Sequence, residues 1–463
     1  MTHTLDVLGE VASLAASRRS LDDVELAKVR VVVTDAVVQA LGLSAYERDD
    51  PNGEASSSYR AMLRFAQSAP AGASGLFFGG HGVGAEDAAF VNATLIHARL
   101  TDDAHPGVLL HPGAIVVPTA LALGEERESR GEDFVQAIAA GYRVMAALAA
   151  PVAARTAARG LRNTAMFGPA AAAATAARVL GLDERRTAAA VVFALGSSGG
   201  TLQALRTGSA EWRIQPGMAA RLGIAAARIA ESAERSDLDF ADRAIEGEAG
   251  FYASYVPDWT IDHLADAPEV DGLLGVTHKE HATCGANQLA VESFAMLRER
   301  RGWGPDEVAR VDIELEQAGY DYPGCNSTGP FADGGGFLSR PLAIAAILLT
   351  GHRVLTEASL SAALADSRVE DVMARIHSRP RREGSPRHPQ LATVTVTTVD
   401  GSEHRDDGEG ALAAFTLPDM ARRIDELPEP ERARARGVWE ALRAPQSASP
   451  AALMANAIGS VPV

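Results

Sequence analysis

Two cysteines, Cys284 and Cys325, stand in 463 residues, too few for a framework of disulfides, and a reducing cytoplasm is the expected setting. No apolar run reaches the roughly 18 residues that a membrane span needs, because Pro341–Leu349 stops at Thr350-Gly351. The start of the chain has neither the basic patch nor the apolar stretch of a secretion signal. Positive charge is also short, with 43 basic against 60 acidic residues and a formal net charge of −17. That balance argues against nucleic acid, whose phosphates need concentrated positive charge, and it requires any pocket for a polyanion to carry its own basic cluster. Lysine is the rarest cation, since Lys28 and Lys279 are the only two beside 41 arginines. A lysine at a polar cluster therefore stands out. Lys28 falls in an amphipathic helical pattern and reads as solvated surface, whereas Lys279 sits in His278-Lys279-Glu280-His281.

What is present is apolar and rich in alanine: 47% hydrophobic residues with 5% aromatics describe a globular, helix-rich interior. The length favours two lobes. From Leu5 to about Ser232 helix follows helix, with patterns over Val24–Leu43, Glu86–Ala98, Gly113–Glu125, Phe134–Leu148, Ala165–Leu180, Arg185–Leu195 and Gly217–Ala230. After about Pro268, Val308–Gln317 and Leu391–Val399 alternate as strands do, and Asp400-Gly401 reads as a hairpin turn. Helical patterns near Ala286–Arg298, Pro341–Leu349 and Ser359–Ala365 lie between them. Ser378–His388, with its arginines, prolines and glycine, reads as a mobile surface loop. Leu417–Leu442 is helical again, so an α+β lobe is inserted in a helical one. The expected fold is mainly α: a large helical domain from residues 1–267 plus 409–463, and a smaller α+β lid domain at 268–408.

Chemistry concentrates at one seam. Asn92 to Pro112 puts His97, His105, His111 and the adjacent acids Asp102 and Asp103 between two apolar helical runs, where polar groups are costly without partners or work. An acid and an imidazole on one turn form a base with its orienting partner; the bland alternative is a pair of capping or solvated acids. His97 reads as a satisfied interior histidine. His111-Pro112 precedes a helix, which makes His111 a candidate N-cap whose neighbouring free N–H groups suit a substrate carboxylate. A second constellation is His278-Lys279-Glu280-His281 with Cys284. His281 and Cys284 are three apart, but no standard zinc spacing occurs and no metal is expected. Lys279 neutralising a substrate carboxylate, with His281 moving a proton nearby, is the charged reading; a mixed-charge surface loop is the other. Gly196–Gly200 lacks the strand that should precede a phosphate loop and reads as a helix exit. Arg162 and Arg213 are two arginines among 41. Tyr320 could be a phenol donor or packing.

Taken in order, these segments resemble the MmgE/PrpD family, which includes 2-methylcitrate dehydratase, cis-aconitate decarboxylase and iminodisuccinate epimerase. The resemblance is carried by Ala88–Asn92 through Asp102-Asp103 to His111-Pro112, by Gly141-Tyr-Arg-Val, Gly217–Arg221, Lys279 with Cys284, and Ser339–Ala345. It implies a helical domain built from both chain ends, a smaller lid, a homodimer, a pocket between the lobes, and cofactor-independent chemistry on a small di- or tricarboxylate. It places Asp102, Asp103, His111 and Lys279, and with them Tyr320, among the catalytic residues. The substrate-binding candidates are Arg213, Arg162 as a substitute for a missing imidazole, His105 and His281. The chain departs from the family at Leu100, where some members have an aspartate, at Arg162-Asn163-Thr164 in place of His-Pro-Thr, at Trp212-Arg213 in place of Lys-Arg, and at His281 and Gln288. A dehydratase acting through a carboxylate-stabilised carbanion is the first expectation. A decarboxylase or epimerase of the same family, a catalytically altered binder, and a metal-dependent hydrolase using His281 and Cys284 are the alternatives.

Overall fold

The computed structural model describes residues 6–49, 56–207, 209–234, 238, 243–331, 336–381, 392–408 and 416–459. Mainly helical, with one small sheet, it matches the expected class. Helices Asp23–Asp49, Ala85–His97, Gly113–Glu126, Gly131–Ala149, Asn163–Val179, Glu184–Leu195 and Gln215–Ser232 fall within a few residues of the patterns read from the sequence. Several are buried on nearly every side: Gly113 through Gly124 and Asn163 through Ala177 are each without an exposed residue. A helix that is apolar all round has to lie inside a bundle. Alanine makes this possible, because a short side chain lets helix axes approach closely. At Gly223 even a methyl is too much, since a Cβ there would lie 2.3 Å from the Cβ of Ala172 and 2.5 Å from the backbone nitrogen of Ala173.

A first hydrophobic core unites these helices with the far end of the chain. Met420, Ile424, Ala435, Val438, Leu453 and Met454, from helices Leu417–Glu426, Glu431–Ala441 and Pro450–Ile458, are all part of it, as is Leu442 just after the second. The 417–442 pattern is thus two helices, separated at Leu427–Pro430, where two prolines interrupt the backbone donors. A short strand that the sequence pattern did not predict, β1 (Ala71–Ser74), precedes helix Ala85–His97.

A second core forms around a four-stranded sheet of β2 (Val308–Leu315), β3 (Ile376–Pro380), β4 (Thr393–Thr398) and β5 (Glu403–Asp406), in the order β3-β2-β4-β5. β2 pairs parallel with β3 in the register Val311 to Ile376, and antiparallel with β4 in the register Ile313 to Val394. Val311, Ile313 and Leu315 alternate inward, as a half-buried strand requires. Helices Gln288–Arg301 and Arg340–Thr350 supply large aliphatic and aromatic side chains, Phe294, Leu342, Ile344 and Ile347 among them, to this core. Ser339 caps the second helix by accepting from the Leu342 N–H at 3.0 Å, and Gly351 (φ 76°) ends it in the left-handed conformation. The hairpin turn at Asp400-Gly401 joins β4 to β5, with Gly401 at φ 84°.

Two expectations need correction here. Ser378–Pro380 belong to β3 and not to a loop; parallel pairing with β2 overrides the local arginine and proline signals, and proline is tolerated because it ends an edge strand. Residues 382–391, the rest of that stretch and the start of the Leu391–Val399 pattern, lie outside the described residues. Lys28 is not solvated surface, since its ammonium donates to the Val276 carbonyl at 2.6 Å and burial lowers its pKa. No described helix is long and apolar enough to cross a membrane.

Candidate active site

The acid-imidazole seam is built by a chain reversal. Helix Ala85–His97 ends, Leu100 turns the backbone at φ 58°, and His105 and Leu110 exchange backbone hydrogen bonds of 2.8 and 3.3 Å before helix Gly113–Glu126 begins. The reversal returns His111 to Asp103, whose carbonyl accepts from the ring Nδ1 at 2.8 Å. A carbonyl can only accept, so Nδ1 carries the proton and Nε2 keeps its lone pair. Among the described residues no hydrogen bond occupies that Nε2. Burial, and next the Lys279 charge, hold the pKa of His111 well below the usual histidine range. The ring is therefore a neutral base.

The two adjacent acids have opposite environments. Burial alone would raise Asp102, but His97, Lys279 and His111 outweigh it and hold the carboxyl below the ordinary carboxylate range. His97 Nδ1 lies 2.8 Å from one carboxylate oxygen, and the Lys279 ammonium lies 3.5 Å from the other. Asp103 accepts from the Gly113 N–H at 2.9 Å and from the Tyr142 hydroxyl at 2.6 Å, yet burial and the Asp102 charge push it up to about 7. Glycine is required at 113 because a Cβ there would lie 2.7 Å from the Asp103 carboxylate. This corrects the capping expectation: helix Gly113–Glu126 is capped by Asp103 from ten residues upstream, His111 spends its ring on Asp103, and the Gly113 N–H is taken.

Lys279 reaches the cluster from a part of the chain more than 160 positions away. Ala104 and Thr277 exchange backbone hydrogen bonds of 2.9 and 2.7 Å, which lays residues 277–279 alongside the acidic pair. The lysine is buried, donates to the Leu100 carbonyl at 2.6 Å, and has its nitrogen 3.5 Å from His111 Nδ1. Leu100, whose carbonyl takes this bond, sits at a φ of 58° in the left-handed region, a local backbone strain. Arg162 closes the third side: its guanidinium donates to His97 Nε2, which fixes His97 as the Nδ1–H tautomer, and to Gln215 Oε1 at 3.1 Å. Burial pushes His97 down to about 4, so it too is neutral. Arg213 is fully buried, donates from Nε to the Ala98 carbonyl at 2.8 Å, and stacks 4.5 Å from the centre of the Trp212 ring, which meets His97 edge-on at 5.2 Å.

Of the residues singled out in the sequence, Asp102, Asp103, His111, Lys279 and Arg162 thus share one buried network, and Arg213 adjoins it through Trp212. The others lie elsewhere. His105 donates from Nε2 to the Asp271 carbonyl at 2.9 Å. His281 lies 2.8 Å from Glu292 through Nε2 and accepts from the Leu355 N–H at 3.2 Å, so both ring nitrogens have protein partners. Tyr320 is on the short helix Gln317–Asp321, where its carbonyl accepts from the Asn326 amide at 2.6 Å. Two positions later, burial raises the Tyr322 phenol above the usual tyrosine range, with Cys284 adding to the shift and Arg162 opposing it. Cys284 and Cys325 are both buried, and hydrogen bonding between the thiols, helped by the Lys279 charge, outweighs burial and brings Cys284 down to about 7, while the same bond and burial raise Cys325. Residues not singled out include Tyr142 and, within the apolar run Val31–Leu43, Asp35. The second had a signal: Asp35 and Gln39, one helical turn apart, are polar residues on one face of an otherwise apolar helix.

Ligand atoms of His97, Asp102 and His111 all lie within 4.8 Å of one another, a spacing compatible with a metal ion. The chemistry of the set argues for protons instead. His97 and His111 present protonated Nδ1 atoms to Asp102 and the Asp103 carbonyl, and Lys279 and Arg162 already bring two positive charges against them.

Residues 7–263 match the family model described as the MmgE/PrpD N-terminal domain. The chain belongs to the MmgE/PrpD family. A curated relative from Aspergillus oryzae, named cis-aconitate decarboxylase-like protein oryM, is 32% identical over 155 residues, which is 32% of this chain and 32% of that protein. The matched stretch therefore spans about a third of the relative's length. The family match covers the seam with its acids and histidines, Arg162 and Arg213, but ends before Lys279.

Proposed function

We propose that this protein is a cofactor-independent lyase for a small di- or tricarboxylate, working through a carbanion stabilised by the adjacent carboxylate, and that dehydration of a 2-methylcitrate-like hydroxy acid is its reaction. The observation that carries this reading is His111: a neutral imidazole with Nδ1–H tied down, Nε2 unoccupied, and an ammonium 3.5 Å away. In the proposed reaction Nε2 takes the proton next to a substrate carboxylate. The negative charge that develops on the carboxylate oxygens is met by Lys279, Arg162 and Arg213. Removing one such preorganised donor from an active site typically costs roughly 3 kcal/mol in the transition state. Departure of the β-hydroxyl balances when the Lys279 ammonium gives it a proton, so that water leaves, His111 holds the proton from carbon, and exchange with solvent resets both.

On this reading residues 1–267 and 409–463, which supply most of the first core, are the body, and 268–408 is a lid that carries Lys279 to it. The pair works as a homodimer in the cytoplasm. Two features support closure of one part over the other: the site residues come from both sides, and every one except His111 is almost sealed from solvent.

A second reading, decarboxylation, is favoured by the similarity to the Aspergillus protein. There the carboxylate leaves as CO2 without a base, and Lys279 protonates the carbanion that remains. Incubating the enzyme with a panel of hydroxy- and unsaturated polycarboxylates in D2O, followed by NMR, separates the two: a dehydratase yields an alkene plus deuterium exchange next to the carboxylate of recovered substrate. A decarboxylase releases CO2 and puts one deuterium in the product. No turnover across the panel, with tight carboxylate binding, would overturn both in favour of a binding protein.

A further inference from the structure

Asp35 lies in the middle of helix Asp23–Asp49, 1% exposed, and takes no direct part in the cluster just described. A buried carboxylate needs paired charge and several hydrogen bonds. Asp35 has them: Arg423 at 2.6 Å and the Gln39 amide at 3.0 Å on one oxygen, with His278 Nδ1 at 3.2 Å on the other. Each partner leads to the lysine. His278 is the residue before Lys279. Gln39 accepts from the Thr101 hydroxyl, immediately before Asp102. Arg423, on helix Leu417–Glu426, gives its other terminal nitrogen to the carbonyl of Lys279 itself.

We propose that Asp35 and Arg423 are positioning residues for Lys279, so that the C-terminal helix, beyond the 7–263 family match, completes the working site. A lysine side chain has many rotamers, and where its tip rests depends on where its backbone is held. The guanidinium fork holds that backbone by spanning one carboxylate and one carbonyl at once, a geometry that a lysine at 423 lacks. The Gln39–Thr101 contact anchors the Asp102 side to the same carboxylate, so the 3.5 Å separation of Lys279 from Asp102 is set from both ends. The catalytic consequence rests on the role proposed for Lys279; the placement does not.

The scarcity of lysine supplies the test. With [ε-13C]lysine the intact protein gives two side-chain signals, assigned by Lys28→Arg. Arg423→Ala and Asp35→Asn are expected to shift and broaden the Lys279 signal. Arg48→Ala, which removes the Arg48–Glu431 pair at 2.9 Å between the same N-terminal helix and the C-terminal segment, is expected to leave it in place. With a substrate in hand, Arg423→Ala should lower kcat about tenfold or more with little change in KM, and Arg423→Lys should not restore it, because a displacement of an ångström suffices for such losses. Should Arg423→Ala not fold, Asp35→Asn and Arg423→Lys read the same signal. An unmoved Lys279 in these variants, or an equal shift in Arg48→Ala, overturns the proposal. A wild-type enzyme without turnover would instead sink the lyase reading and leave the NMR result standing.

Discussion

The two cores are made of different material. The first mixes many alanines with larger side chains on closely approaching helices; in the second, large aliphatic and aromatic residues on a sheet and two helices predominate. They hold functional groups differently as well. Asp103, His111 and Gly113 fix one another within ten residues of chain, by bonds that form as soon as the local reversal does. Lys279 is fixed by its bonds to Leu100 and Arg423 and by the Ala104–Thr277 pairing, contacts that each span more than 140 positions of sequence. Leu100 and Trp212 belong to the second core although both lie in the first half of the chain, so the cores interlock where the polar cluster is. Local contacts prepare the base, and long-range contacts deliver the cation.

The most severe test of that division is His111→Gln. Glutamine can still donate to the Asp103 carbonyl but offers no imidazole lone pair, so kcat should fall by about 10²–10⁴-fold while the thermal midpoint stays close to the wild type. Full turnover in this variant would remove His111 from the chemistry. The next effects separate the cores themselves. Ile344→Ala, at a fully buried position of the second core, should cost about 2–5 kcal/mol in urea unfolding, because large side chains leave a cavity when truncated. Gly223→Ala should destabilise the first core by about 1–3 kcal/mol by the opposite route, since the added methyl meets Ala172 and the Ala173 backbone. If the first core tolerated the extra methyl, the close approach of its helices would not be what limits it.

Local patterning explains what was legible. Alanine-rich helices and the alternating β2 and β4 strands announce themselves within a single window, and so did the acids and His111, whose partners are near in sequence. β3 did not, because its strand state is imposed by β2 some 65 residues away on residues with little preference of their own. The same reason hid Tyr142, Asp35 and Arg423: each matters through a partner distant in sequence. His281 misled in the converse way, since its position beside Lys279 in the chain says nothing of the ring, which turns to Glu292 and Leu355. Lys28 was misjudged because a pattern of exposed positions cannot reveal that another segment, at Val276, covers one of them.

The smallest effect sharpens the contrast between the two acids at the seam. Asp103 is raised to about 7 from the ordinary carboxyl value of 3.8, so between those pH values the folded protein binds a proton that the unfolded chain has released. Stability must then fall as pH rises through this window, with a slope of up to about 1.4 kcal/mol per pH unit for one proton. Asp102 has the opposite sign: its depressed pKa contributes stability above its unfolded value that is lost on acidification. Glu125, raised to about 7 mainly by burial, shares the sign of Asp103 but lies at the far end of helix Gly113–Glu126, where it remains unchanged in an Asp103 variant. The stability of Asp103→Asn relative to wild type should therefore climb from about pH 4 to about pH 7 and level off above it. Urea midpoints across this range measure the difference directly. A constant difference would mean that Asp103 is ionised throughout, with Gly113 and Tyr142 outweighing its burial, and that both acids at the seam are permanent carboxylates.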